Sequence, residues 1–309
     1  KKGVTVDFND PNRLSYLKEL ISSADVLVEN FKVGSLEKFG LDFSTLSAAN
    51  PRLIYCSVTG FGQDGPRAHK AGYDFMIQGM TGIMDITGEP DGMPQKVGVA
   101  FADIFTGLYG VIGIQAALAQ RERTGTGQHI DMALFDCMLA AQANQNLNYL
   151  STGESPKRMG NAHPSIVPYQ VFPVADGHIV IACGNNRQFH NLALALERHD
   201  WIDNPIFADN MTRISNRAEV VSQITQQLST WNKLEVLSSL EAAGVPSGPI
   251  NTVAEALEDP QTLHRAMRIA PEGIPGVRTP IKFSNSSLQL KRAAPGLGEH
   301  NNSDDLEPH

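Results

Sequence analysis

The chain has 309 residues, enough for two ordinary domains, and 41% of them are hydrophobic, which supports buried cores. No run approaches the ~18 consecutive apolar residues of a membrane span, and the N-terminus lacks the basic-then-apolar pattern of a signal peptide. With 33 acidic against 25 basic residues, a formal charge of -8 and no long block of either sign, nucleic acid and membranes are not expected partners and a soluble, intracellular protein is.

Lys1 to Phe8 alternates like a strand and carries no initiator methionine, so a preceding segment is expected. Asp10-Pro11-Asn12 opens a helix whose apolar face is Leu14, Leu17, Leu20 and Ile21, and Ala24 to Val28 reads as a buried strand. Leu53 to Val58 is a second such strand. Strand, helix and strand in alternation predict an α/β domain built on a parallel sheet. From Ile104 to Gln120 apolar residues cover all sides and Gly107, Gly110 and Gly113 recur at every third position, predicting a central helix closely packed by its neighbours. His129 to Met132 reads as a strand, Leu134 to Leu150 as a helix, and Ser151 to Pro168 as a linker.

Beyond the linker, Tyr169 to Val174 and His178 to Cys183 flank Ala175-Asp176-Gly177, the pattern of a hairpin with an Asp-Gly turn. Helices are predicted at Phe189 to Glu197, Arg217 to Thr230 and Lys233 to Ala243. The expected organisation is therefore a large domain over 1–150, a linker over 151–168, a smaller α+β domain over 169–259, and an extended proline-rich return over 260–309. Its polar tail, Asn301 to His309, reads as mobile.

Cys56, Cys137 and Cys183 are an odd, widely spaced set without a C-x-x-C pair, which predicts neither disulfides nor a structural zinc. Gly60-Phe61-Gly62-Gln63-Asp64-Gly65 satisfies the dinucleotide fingerprint, with Asp85 at the right remove. The following Pro66 to Gly72 has no helical periodicity, however, so a substrate loop is expected rather than a nicotinamide site. Asp103 stands at the start of the glycine-spaced helix. There it reads either as an N-cap or as a carboxylate whose ionised form the helix terminus favours.

Asp103, Tyr73-Asp74, Val28-Glu29-Asn30-Phe31 and Gly60 to Pro66 together resemble the family III CoA transferases, the group of formyl-CoA and carnitine CoA transferases. The likeness runs from Gly3 to His300 and includes Arg123 to Gln128 and Pro295 to His300. Gly160 to Gln170 and Gly244 to Asn251 look closest to the succinate-hydroxymethylglutarate CoA transferase branch. The resemblance implies a Rossmann-like large domain with a parallel sheet, a smaller α+β domain, and an interlocked homodimer. It also implies a segment upstream of Lys1 with further CoA contacts. A cytoplasmic location is expected, or a mitochondrial one in a eukaryotic source.

The implied activity is transfer of CoA from an acyl-CoA thioester to a carboxylic acid, a dicarboxylate such as succinate among the candidates, through an anhydride and a CoA thioester on Asp103. CoA is then a substrate, and no metal or other cofactor is implied. Asn30 and Phe31 would meet CoA, Phe31 being readable equally as a core aromatic. Lys38 would meet the nucleotide phosphates, or else is a solvated lysine. Gly184 and Asn185 match a mobile glycine loop that would shield the intermediate, or else form an ordinary strand-to-helix turn. His163 reads as structural. Two other functions stay open: a 2-methylacyl-CoA racemase, in which a histidine stands where this chain has Tyr73, and a noncatalytic CoA-binding protein.

Overall fold

A computed structural model describes residues 1–288 and 290–301; the tail beyond Asn301 lies outside them. The chain divides into two compact units, Lys1–Arg158 joined by the chain from Arg292, and Met159–Lys291. The proline-rich stretch to Lys291 thus groups with the second unit, whereas the sequence reading ends the smaller domain at Asp259.

The first unit is an α/β structure around a three-stranded parallel sheet in the order β1 (Val26–Glu29), β2 (Ile54–Thr59), β3 (His129–Ala133). Register pairs Val28 with Cys56 and Cys56 with Ile130. Helix α1 (Pro11–Ser22) begins where Asp10 accepts the Asn12 and Arg13 amides and Pro11 supplies a preset φ. Ile21 of α1, Leu46 of α2 (Phe43–Ala49), Leu53 and Tyr55 share one core. A second core joins Ile77 of α3 (Asp74–Thr81), Ala102 of α4 (Phe101–Thr124), and Leu134 and Met138 of α5 (Leu134–Ala141).

Three sequence expectations are corrected here. Lys1 to Phe8 is not a strand: the Gly3 N–H donates to His300 Nδ1, the Gly3 carbonyl accepts the His300 N–H, and the Thr5 N–H donates to Asn301 Oδ1. The helix expected over Leu134 to Leu150 is two, α5 and α6 (Ala143–Thr152), broken where Ala143 takes φ 40°. Finally, α4 is not enclosed on all sides. It packs on β2, β3, α3 and α5, but Ile104, Leu108, Val111 and Ile112 are exposed. Their spacing (i, i+4, i+7, i+8) makes one continuous apolar stripe. By length and composition alone, α4 is apolar enough to cross a membrane.

The second unit carries an antiparallel sheet of β4 (Tyr169–Val174), β5 (Gly177–Ala182) and β6 (Ser247–Pro249). Val174 pairs with Gly177 across the two-residue turn. Its core gathers Phe172, Ile179 and Ile181 from the sheet with Phe189 and Leu192 of α7 (Asn186–Ala195), Val220 and Ile224 of α9 (Arg217–Leu228), and Trp201. Within it the Arg213 guanidinium of α8 (Asn210–Ser215) lies 4.6 Å from the Phe189 ring and donates to the carbonyls of Val167 and Phe207 and to Asn186 Oδ1.

The connection after β2 doubles back on itself. A Cβ on Gly60 would stand 2.5 Å from the Gly72 Cα, so the two backbones touch where any side chain would intervene. Residues 66–70 are turns rather than the helix a dinucleotide site requires. Gly60→Ala is expected to lose about 1–3 kcal/mol through overpacking, read as a lower urea midpoint with an unchanged slope.

Candidate active site

A cleft of about 550 Å³ opens in the first unit at the carboxyl ends of the parallel strands. Asn30, Phe31, Lys32 and Val33 follow β1, Val58 to Gly60 close β2, and Leu134 follows β3. This is the place where parallel α/β sheets expose loops and helix termini to ligands. The doubled-back connection supplies Ala68 to Tyr73, α3 supplies Asp74, and α4 supplies Asp103, Thr106 and Gly107.

Asp103 is exposed on the third residue of α4. It is not the N-cap, a position held by Ala100 without a side-chain bond. The terminus is served from another helix, because Asp74 Oδ1 accepts the Ala102 N–H at 2.9 Å. Asp74 Oδ2 accepts from Gln78 Nε2 at 2.8 Å. Gln78 is 0% exposed, takes the Val97 N–H on Oε1 at 2.9 Å, and donates to the Val99 carbonyl at 3.3 Å. Two α3 side chains therefore hold both the approach to α4 and its first turn.

The charge on Asp103 is likewise set differently from the sequence expectation. Desolvation by burial, and then the neighbouring Asp74 carboxylate, push its carboxyl above the ordinary value. The ionised form is disfavoured, not favoured. Partial burial and the Asp74 charge therefore leave the ionised Asp103 carboxylate poorly stabilised by its surroundings.

Of the other residues singled out in the sequence, Asn30, Phe31 and Tyr73 line the same cleft as Asp103. Phe31 keeps 48% of its surface exposed while lying 5.9 Å from Phe8, and Tyr73 is 71% exposed. Lys38 is not among the lining residues; its Nζ sits 4.7 Å from the Phe39 ring. Gly184 and Asn185 belong to the second unit and form a pinned turn. Asn185 accepts the Gln188 N–H to cap α7, and the Gly184 N–H donates to Gln188 Oε1. His163, in that unit too, accepts the Ser165 N–H on Nδ1.

The sequence reading missed Lys32, His69, Lys70 and Thr106. Lys32 could have been found by its place just after a parallel strand, beside Asn30. His69 and Lys70 lie in a loop without periodicity, and the Gly60–Gly72 contact is what brings them to the cleft.

Comparison with known proteins gives the family. A profile of CoA-transferase family III matches residues 1–301. The chain is 49% identical over 305 residues to the succinate–glutarate CoA-transferase of Agrobacterium fabrum, covering 97% of this chain and 76% of that protein. It is 37% identical over 307 residues to the succinyl-CoA:glutarate CoA-transferase of Homo sapiens, covering 97% and 70%. A solved CAIB/BAIF family protein from Brucella suis superposes with a TM-score of 0.89 at 54% identity, over 98% of this chain and 81% of the other. The chain belongs to CoA-transferase family III. It is an enzyme that transfers CoA between carboxylic acids.

Because the Asp103 value in the folded protein lies above the unfolded one, its carboxyl contributes most stability below the unfolded value. That contribution is lost as pH rises through the folded value. Asp103→Asn, neutral throughout, is expected to be at least as stable as the parent at about pH 7 and to lose that advantage at about pH 4. Urea unfolding at both values checks the sign.

Proposed function

We propose that the enzyme takes CoA from succinyl-CoA or a similar thioester and gives it to a dicarboxylic acid, with the Asp103 carboxylate as covalent carrier. The observation that carries this reading is a carboxylate of raised proton affinity standing in the cleft at the carboxyl ends of the strands. The names of the Agrobacterium and human relatives support the diacid class.

An Asp103 oxygen attacks the thioester carbonyl, the C–S bond breaks, and CoA leaves as thiolate, which needs no added proton. The product is a mixed anhydride. The thiolate then attacks the Asp103 carboxyl carbon, releasing the donor acid and leaving an aspartyl-CoA thioester. The acceptor carboxylate attacks that thioester, and the returning thiolate takes the acceptor acyl group. Asp103 is regenerated as carboxylate, and the scheme balances with CoA alone, without a metal or redox cofactor. Lys32 and Lys70 set positive charge along the cleft, suited to CoA phosphates and to the second carboxylate of a diacid. Tyr73 can donate its phenolic O–H to the developing oxyanion.

The second element of the proposal is an interlocked homodimer. The supporting observation is the apolar stripe of Ile104, Leu108, Val111 and Ile112 along α4, each exposed, with Leu147, Tyr149 and Leu150 of α6 exposed as well; contiguous apolar surface marks contact sites. A second copy is the partner proposed for it.

Asp103→Asn is expected to lower transfer from succinyl-CoA to glutarate by at least about a thousandfold. The parent, incubated with succinyl-CoA alone, is expected to gain a CoA-sized mass on the peptide containing Asp103. Transfer by the variant near the parental rate would sink the assignment. Sedimentation over a wide dilution range should find dimer throughout, and a folded monomer at low concentration would count against the interlocked arrangement.

A further inference from the structure

The mechanism above uses Asp103 but leaves unexplained why a second carboxylate, Asp74, is built beside it. Like charges in one cleft raise each other's cost of ionisation, so an acidic neighbour is an odd choice if Asp103 needed only to be anionic. Asp74 is also fully employed. One oxygen takes the Ala102 N–H and the other takes Gln78 Nε2. Ala102 is bonded directly to Asp103 in the chain, so whatever fixes its amide fixes the start of the Asp103 side chain. The Ala102 side is buried as well, at 0% exposure, locking that turn by packing.

We infer that Asp74 is a positioning residue for the reaction: its hydrogen bond to the Ala102 N–H aims the first turn of α4, and its charge leaves the ionised Asp103 carboxylate poorly stabilised. The inference rests on Asp103 being the covalent carrier. Gln78 completes the device. Its amide group holds Asp74 on one side and the Val97 N–H and Val99 carbonyl on the other, so the carboxylate cannot swing toward the cleft cations without breaking buried bonds. This separates the two acids by role. Asp74 accepts two hydrogen bonds, whereas Asp103 accepts none among the described residues and is left free to attack.

The other ionisable groups around Asp103 come from every side of the cleft. Lys32 follows β1, His69 and Lys70 come from the doubled-back connection, and Tyr73 opens α3. On α5, which packs against α4, Cys137 meets the Thr106 side chain, and the Asp136 charge acts on Cys137. Asp74 is the one whose charge acts on Asp103. Removing that charge lowers the proton affinity of Asp103. The acid limb of the rate, which requires Asp103 ionised, then moves to lower pH, while the ionised form becomes better stabilised by its surroundings.

The test is the pH dependence of single-turnover CoA-adduct formation on the full chain with succinyl-CoA, followed by intact mass. Two variants separate geometry from charge. Asp74→Asn keeps an oxygen for the Ala102 N–H and removes the charge, at the loss of the bond from Gln78 Nε2, which then faces an amide NH2; its acid limb is expected at lower pH than the parent. Asp74→Glu keeps the charge and displaces the acceptor. Its acid limb is expected at the parental pH with a plateau rate reduced by about 10- to 100-fold. An unshifted limb in the first variant overturns the charge role, and a parental plateau in the second overturns the positioning role, so either folded variant suffices to refute. Asp103→Asn is run alongside. If it still forms adduct, the carrier assignment itself falls and the role of Asp74 with it; if it is inactive, the other outcomes bear on Asp74 alone.

Discussion

The contact of two backbones at Gly60 and Gly72 is the constraint on which the cleft depends. The connection leaving β2 must return to the sheet before α3 can begin, and it does so by bringing two residues without side chains into direct contact. Other bonds hold the loop in place. The Gly62 N–H donates to Thr59 Oγ1, the Gln63 N–H to Asp131 Oδ2, and the Phe135 N–H to the Gly60 carbonyl. With the loop closed, Tyr73 and Asp74 arrive at the N-terminus of α4, and His69 and Lys70 arrive at the rim. A motif that resembles a dinucleotide fingerprint is thus explained by packing: its first glycine serves a close crossing of chains, not a pyrophosphate.

The cleft that results combines two demands that ordinarily conflict. A helix N-terminus satisfies its free amides most cheaply with its own capping carboxylate. Here that duty passes to a residue on the preceding helix, and the carboxylate nearest the terminus is left uncommitted. On the proposed mechanism, stability and reactivity are thereby divided between two aspartates, as expected of sites that hold a group in an unfavourable state and offset it through the surrounding bonds.

Much of this was legible in the sequence wherever the signal is local. Apolar runs marked β1, β2 and β3, the Asp-Gly dipeptide marked the hairpin of β4 and β5, although its turn residues are Ala175 and Asp176 and Gly177 already pairs in β5, and the start of α4 placed Asp103 at a helix terminus. What escaped were interactions between distant residues. The alternation of Lys1 to Phe8 resembles a strand, but its partners are His300 and Asn301 rather than a sheet edge. The break at Ala143 carries neither glycine nor proline, so the helical pattern runs through it. The Asp103 carboxyl is shifted in the opposite direction from the local expectation, because the helix terminus is visible from the neighbouring residues whereas the two causes of the rise, desolvation first and the Asp74 carboxylate second, arise only in three dimensions.

The three cysteines have a practical consequence. Cys56, Cys137 and Cys183 are each buried, and burial raises all three thiols, Cys183 to about 12. Alkylating reagents act on exposed thiolates, so the native fold offers them a silent background. One surface cysteine introduced at a chosen position would therefore take a fluorophore or spin label selectively, with the natural thiols left in place and the core unaltered.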